Sequence, residues 1–363
     1  MYIGLVIYGD LDTISGGYLY DRKLVEYLRA CGDQVDIISQ PWQNYVRHLA
    51  QNFDAGFIKQ ISEPYDILLQ DELNHPSLFF ANRRRKKMLK LCPVISIVHH
   101  LRCSEQRSGL LNMAYRWVER AYLQGVDGFI FNSATTRNTV TQLVGNKHLY
   151  VLAYPGGDRF SEWEYLQDDL SKLIKDDDLL RILFVGNLDS RKGLHVLLAA
   201  LCQLSSKDRF SWHLTVVGDN NKNIAYAKQM LELANQLKLS QNIIWLGSVD
   251  DATLARQYAT HDLFVLPSQY EGFGIVYLEA MSFGLPVIAS SAGAAHEIIN
   301  TGENGFLVPP ENPSALAMRL QTLLNNKTRL QAMRVAARKH FEQHPTWAQT
   351  AQTIRQFLLK IAN

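Results

Sequence analysis

Residues 267–290 read PSQYEGFGIVYLEAMSFGLPVIAS and follow directly on an apolar run, Leu263 to Leu266. The run has the length and composition of a buried strand. It enters a turn holding two glycines and an acid, then a helical segment of about ten residues. Gly284 ends that helix and Pro286 opens another apolar strand, in the order that helix terminators take. The start of the helix is more informative. Gly272 and Gly274 leave the amides of Phe273, Gly274 and Ile275 at a helix N-terminus, where an anion is favoured. Glu271 lies just before the turn. Glu279 is about five residues inside the helix, roughly 7–8 Å along its axis at 1.5 Å per residue. Carboxylates on either side of an anion-binding turn suit a nucleotide-sugar: one accepts hexose hydroxyls, the amides hold the diphosphate, and the other accepts ribose hydroxyls. The bland alternative is a buried helix with two solvated acids.

With 363 residues, 47% apolar and 20% charged, the chain is long enough for two soluble globular domains. A formal charge of +2 gives no global reason to expect nucleic acid. Cys31, Cys92, Cys103 and Cys202 form no C-x-x-C pair. Neither a zinc site nor a disulfide framework is therefore expected. The N-terminus lacks the features of a signal peptide, and no apolar run approaches the roughly 18 residues of a spanning helix. The expectation is a cytoplasmic enzyme.

The N-terminal half opens as βαβ. Tyr2 to Tyr8 (YIGLVIY) suits a buried parallel strand, Leu19, Leu24 and Leu28 fall on helical spacing up to Gly32, and residues 35–39 return as a strand. The glycines after the first strand are Gly9, Gly16 and Gly17. They do not spell G-x-G-x-x-G, which disfavours a dinucleotide-dependent oxidoreductase. Residues 66–70 form a strand with Asp71 and Glu72 at its C-terminal end, the end at which open α/β sheets place ligands. Arg83, Arg84, Arg85, Lys86, Lys87 and Lys90 then concentrate positive charge on a helix. This is either a solvated face or a patch for anionic lipid head groups or a phosphate-bearing acceptor. Residues 93–98 deliver His99 and His100 at a strand tip. Ser133 reads as the N-cap of a helix running to Val144.

Residues 160–178 turn polar and read as a linker, and Asp176, Asp177 and Asp178 read as a solvated turn rather than a metal motif. The second half opens with the strand 181–185 and the loop GNLDSRKG, residues 186–193. Arg191 and Lys192 sit there at a helix start, placed to neutralise a diphosphate and its developing leaving-group charge. The alternative is a pair of surface charges. Strands follow at 214–217 and 242–246. The last helical stretch, 346–361, carries Trp347, Ile354, Phe357 and Leu358 on one stripe.

Residues 267–290 resemble the E-x7-E signature of retaining glycosyltransferases with the GT-B fold, specifically family 4 (glycosyl transferases group 1). Glu271 and Glu279 stand at its two glutamates, and the flanking PSxxEGFG and LEAMxxGxPVIAS agree as well. Residues 186–193 resemble the same family's G-x-L-x-x-x-K-G loop. The resemblance implies an α/β GT-B fold: two Rossmann-like domains facing a deep interdomain cleft. An acceptor domain would span 1–165 plus a returning helix at 343–363, and a nucleotide-sugar domain 166–342. It further implies that Gly16 and Gly17 cover the donor diphosphate, that Gly186 and Asn187 line the donor loop, and that Gly247 and Val249 lie against the nucleobase. Phe273, Gly274 and Ile275 would bind phosphate, and Gly293 and Glu297 fit the family's later Gly-rich turn. His99, or His100 in the alternative register, would touch the sugar. The implied chemistry is metal-independent hexosyl transfer, with glucose preferred, from a UDP-sugar to a glycan or lipid-linked hydroxyl in envelope or exopolysaccharide synthesis. The protein would be cytoplasmic, with peripheral membrane association. A non-catalytic sugar-nucleotide-binding subunit and a GT-B epimerase or phosphorylase are the competing readings.

Overall fold

A computed structural model describes residues 1–88, 92–104, 109–167, 179–205, 211–220 and 222–362. The chain divides into two compact units, one of Met1–Gly156 with Pro345–Asn363 and the other of Gly157–His344. The first division lies nine residues ahead of the position anticipated from composition (165 − 156). The reason is Phe160, which opens the polar stretch yet is only 2% exposed. Its ring packs against Tyr258 and Phe283 in the second unit, at 5.7 and 5.9 Å between centroids. The acidic triplet 176–178 lies outside the described residues.

The first unit is built on a six-stranded sheet of β1 (Tyr2–Tyr8), β2 (Gln34–Gln40), β3 (Ile67–Asp71), β4 (Val94–Val98), β5 (Gly128–Phe131) and β6 (Leu149–Leu152). The strands run parallel in the order β2-β1-β3-β4-β5-β6. Their cores are almost wholly apolar because helices cover both faces of a parallel sheet. Residues 41–64, which carry no clear periodicity, form two short helices, Tyr45–Gln51 and Ala55–Gln60. Both are started by side-chain caps, from Asn44 and Asp54. The terminal helix Trp347–Ala362 packs on the helix Gly16–Ala30. Trp347 meets Tyr20 edge-on at 5.9 Å, and Thr350 donates to the Tyr154 carbonyl at 2.6 Å.

The second unit holds β7 (Leu179–Val185), β8 (Ser211–Val217), β9 (Ile243–Gly247), β10 (Leu263–Leu266), β11 (Val287–Ser290) and β12 (Gly305–Val308). They are parallel in the order β12-β11-β10-β7-β8-β9. The chain winds outward from β7 to β9, then crosses back to β10 on the other side of β7. In the first sheet the corresponding reversal falls between β1 and β3. Such reversals splay neighbouring loops apart at the strand C-termini and create the ligand crevices of α/β sheets. No helix among the described residues is long and apolar enough to cross a membrane.

Candidate active site

The reversal in the second sheet brings three loops to one place. The loop after β7 ends in a short turn, Ser190–Lys192, closed by Gly193 at φ +73°. A side chain at Gly193 would strike the carbonyl of Pro267, so glycine lets the β7 and β10 loops touch. The Gln269 amide then donates to the Arg191 carbonyl at 2.8 Å. The loop after β11 approaches from the far side. Gly293, at φ +79°, forms a bridge with Glu271, and the Ala294 amide donates to the Glu271 carbonyl at 2.9 Å. Here too a Cβ would collide, this time with the Glu271 backbone.

These contacts fix Glu271 beside two cations. Lys192 Nζ donates to Glu271 Oε1 at 2.6 Å, and Arg191 Nη1 lies 3.6 Å from that oxygen while donating to the Tyr270 carbonyl at 3.0 Å. Burial would raise the Glu271 pKa, but Lys192 and then Arg191 outweigh it and hold the carboxyl at about 2. The helix behind, Ile275–Ser282, starts at Gly274 with φ +95° and has no side-chain cap, while Phe273 packs inside. Gly186 and Asn187 lead from β7 into the same loop, both half-buried. Gly247, at φ +68°, ends β9, and its carbonyl accepts from the Gly218 amide at 2.9 Å; Val249 follows half-buried.

Glu279 has a different setting from Glu271. It is 1% exposed, accepts from Arg159 Nη1 at 2.7 Å and takes the Tyr258 hydroxyl at 2.9 Å. Arg159 also pairs with Asp251 at 2.6 Å. Neither Arg159 nor Tyr258 carries a local sequence signal, since the two approach Glu279 from 120 and 21 residues away.

In the first unit, His99 leaves the tip of β4 and its Nε2 lies 3.0 Å from Asp21 Oδ1 on the helix Gly16–Ala30. Asn132 holds the His99 carbonyl at 3.0 Å, and Tyr20 stacks edge-on against the ring at 5.1 Å. Gly16 and Gly17 open that helix behind the Ser15 cap, and a methyl at Gly17 would come within 3.2 Å of the imidazole. Burial opposes a charge on His99, yet Asp21, Asp71 and Glu72 prevail and its pKa rises. His100 is half-buried. Asp21, the acid that pairs with His99, reads in sequence only as one more polar residue of an amphipathic helix.

Among the described residues, two clusters bring ligand-type atoms within 4.8 Å of one another: Asp21, Asp71 and His99, and Glu72, His75 and Glu119. In the second, both Glu119 oxygens already take amides, from Arg102 at 2.6 Å and Cys103 at 3.0 Å, and His75 Nε2 meets the Tyr45 hydroxyl at 3.1 Å. Burial lowers the His75 pKa to about 4 and raises that of Glu72. In the first, Asp21 Oδ2 and Asp71 Oδ2 have no hydrogen-bond partner. Burial and then Asp21 push the Asp71 pKa up to about 7. The trio can thus hold a proton beside the imidazole and accept a hydroxyl hydrogen.

The basic run needs correction. Arg85 is not part of a surface patch: it is 2% exposed, and its guanidinium bonds the carbonyls of Ile61 and Cys92 and the Cys92 sulfur. Helical spacing turns every third or fourth residue inward, so a run of like charges cannot all face solvent. Arg83 is exposed and Arg84 half-buried, while Lys90 and the side chains of Lys86 and Lys87 lie outside the described residues.

Residues 167–340 match the family model described as "Glycosyl transferases group 1". The chain is 37% identical over 150 residues, 41% of its length, to the uncharacterized glycosyltransferase MJ1607 of Methanocaldococcus jannaschii, and spans only 37% of that relative. Over 99% of its length it superposes on sucrose-phosphate synthase from Thermosynechococcus elongatus, covering 98% of that chain at 22% identity with a TM-score of 0.83. It likewise superposes on Anabaena Alr3699/HepE, a structure in complex with UDP-glucose, with 99% and 100% of the chains covered, 20% identity and a TM-score of 0.77. The two parallel six-stranded sheets are those of the GT-B fold.

Proposed function

We propose that this chain is a group 1 glycosyltransferase of family 4 that moves a hexose, with glucose preferred, from a UDP-sugar to a hydroxyl of a glycan or lipid-linked acceptor with retention of configuration. The observation that carries this reading is the convergence of Arg191 and Lys192 on Glu271 at the reversal point of the second sheet. Departure of the nucleoside diphosphate is the demanding step, because negative charge grows on its terminal phosphate. Arg191, held on the Tyr270 carbonyl, and Lys192, held on Glu271, stabilise that charge with little reorganisation, helped by the amides of Gly274 and Ile275 at the start of the following helix. They take the role a metal plays elsewhere, so the proposed reaction needs none. Glu271, kept ionised by the same cations, accepts hexose hydroxyls, and His99 contacts the sugar. No protein nucleophile is assigned. The departing phosphate takes the acceptor proton as the new glycosidic bond forms on the same face. The UDP-glucose bound by the Anabaena protein supports the choice of donor. A place in envelope or exopolysaccharide synthesis belongs to this proposal, as do a cytoplasmic location and a lipid-linked acceptor.

A panel of UDP-, GDP- and ADP-sugars in a thermal-shift assay tests it. A donor at a hundredfold excess over Kd stabilises by about 2.7 kcal/mol. UDP-glucose is expected to raise the melting temperature most, and silence from every nucleotide would sink the proposal. Conversion of the donor to an epimeric sugar without any added acceptor would instead identify an epimerase. Binding with no transfer or hydrolysis to any hydroxyl acceptor would identify a non-catalytic subunit.

A further inference from the structure

We propose that Glu311 is a positioning residue for the donor diphosphate: its carboxylate clamps His195 and Gln269 and so fixes the loop that carries Arg191 and Lys192. The inference rests on the nucleotide-sugar reading of the second unit and adds a residue which that reading does not use. Backbone conformation singles Glu311 out. Among the described residues, two that are not glycine have a left-handed backbone, Lys238 at φ +59° and Glu311 at φ +54°. Lys238 is explained locally. It follows the helix Ile224–Gln236 and its C-cap Leu237, and the Leu239 amide returns to the Ala234 carbonyl at 2.9 Å, an ordinary left-handed helix ending. Glu311 closes no helix. It lies between Pro310 and Asn312, the N-cap of the helix Pro313–Leu324, where glycine would take the same turn without strain. A residue held in such a conformation points to a use for its side chain.

The Glu311 carboxylate has two partners, one behind the loop after β7 and one in the loop after β10. Its Oε2 lies 3.1 Å from His195 Nε2, and its Oε1 accepts from Gln269 Nε2 at 3.0 Å. His195 is the second residue of the helix Leu194–Ser205, directly behind the loop 186–193. The Tyr226 hydroxyl accepts the His195 amide at 3.3 Å and gives its own hydrogen to Nδ1 at 2.8 Å. The ring proton is then on Nε2, facing Glu311. Gln269 follows β10, and its amide holds the Arg191 carbonyl at 2.8 Å. The carboxylate therefore ties a helix start to the turn after β10, with Arg191 and Lys192 on the short segment between the two ties. Burial opposes the Glu311 charge, yet the bonds from His195 and Gln269 lower its pKa. Stability does not account for the arrangement. The His195 and Glu311 side chains are 30% and 42% exposed, and ion pairs so open to water contribute no more than the strained turn costs.

Calorimetric titration of the full chain with UDP, and with UMP, which lacks the terminal phosphate, tests it. In Glu311→Gly the backbone keeps its turn and the clamp is gone. UDP should bind this variant about tenfold more weakly than the parent, the equivalent of one hydrogen bond from Arg191 to phosphate. UMP affinity and the melting temperature should stay as in the parent. Glu311→Gln keeps one of the two hydrogen bonds and should fall between. Gln269→Ala should weaken UDP binding in the parent but add nothing to Glu311→Gly. Parent-like UDP binding by Glu311→Gly would overturn the proposal. So would a parallel loss of UDP and UMP or a lowered melting temperature, either of which marks a merely structural role. Binding of UDP by the parent separates these results from failure of the nucleotide-sugar reading, since a parent silent towards UDP would overturn both.

Discussion

Replacing Lys192 by methionine removes the nearer of the two cations that hold Glu271. Burial alone would raise the carboxyl's pKa, yet Lys192 at 2.6 Å and Arg191 at 3.6 Å bring it from 4.5 to about 2. At 1.36 kcal/mol per pKa unit, that drop corresponds to about 3 kcal/mol of stability. The folded-state value lies below the ordinary one, so the contribution is complete above pH 4.5 and disappears as pH falls towards 2. The two side chains are 15% and 11% exposed, which leaves little room for solvent to screen the loss. Arg191 retains part of the interaction. The expected cost of Lys192→Met near neutral pH is therefore about 2 kcal/mol. Urea unfolding of the parent, Lys192→Met, Glu271→Gln and the double variant closes a thermodynamic cycle that isolates the pair. The coupling should be about 2 kcal/mol near neutrality and should shrink steadily below pH 4.5 as Glu271 protonates in every species that carries it. A coupling under about 0.5 kcal/mol, the range of an exposed pair, would refute the reasoning. So would a coupling indifferent to pH.

Two further outcomes follow from the buried carboxylates. Asp21→Asn should lower the titration midpoint of His99 followed by NMR, since Asp21 is the largest of the influences that raise it. His99 has a raised folded-state pKa, so the stabilisation by Asp21 is complete below its ordinary value of 6.5 and lost as pH rises through the folded-state value. Parent and variant should therefore converge in stability at alkaline pH, and an unmoved midpoint would show that Asp21 does not set the ring's charge. Arg159→Leu strands Glu279 with Tyr258 alone and should cost about 3 kcal/mol in unfolding experiments. Adding Glu279→Met should restore much of that loss, and a double variant less stable than the single one would show that the ion pair is not the cause.

Much of this protein is local information. The helix start at Gly274, the loop 186–193 with its paired cations and the alternation of strand and helix follow from glycine, charge and apolar spacing within a few residues. The α/β class and the candidate donor residues were therefore legible along the chain. What tertiary structure alone decided depends on residues that meet from far apart. Asp21 pairs with His99 across 78 residues, and Arg159 engages Glu279 across 120. Arg85 leaves the basic run because its side of the helix turns inward, and Phe160 leaves the apparent linker because its ring finds Tyr258 and Phe283. Side-chain type sets what a residue can do, but burial and the identity of its partner are properties of the packed chain. Those properties settle which cation each carboxylate meets: Lys192 and Arg191 at Glu271, Arg159 at Glu279.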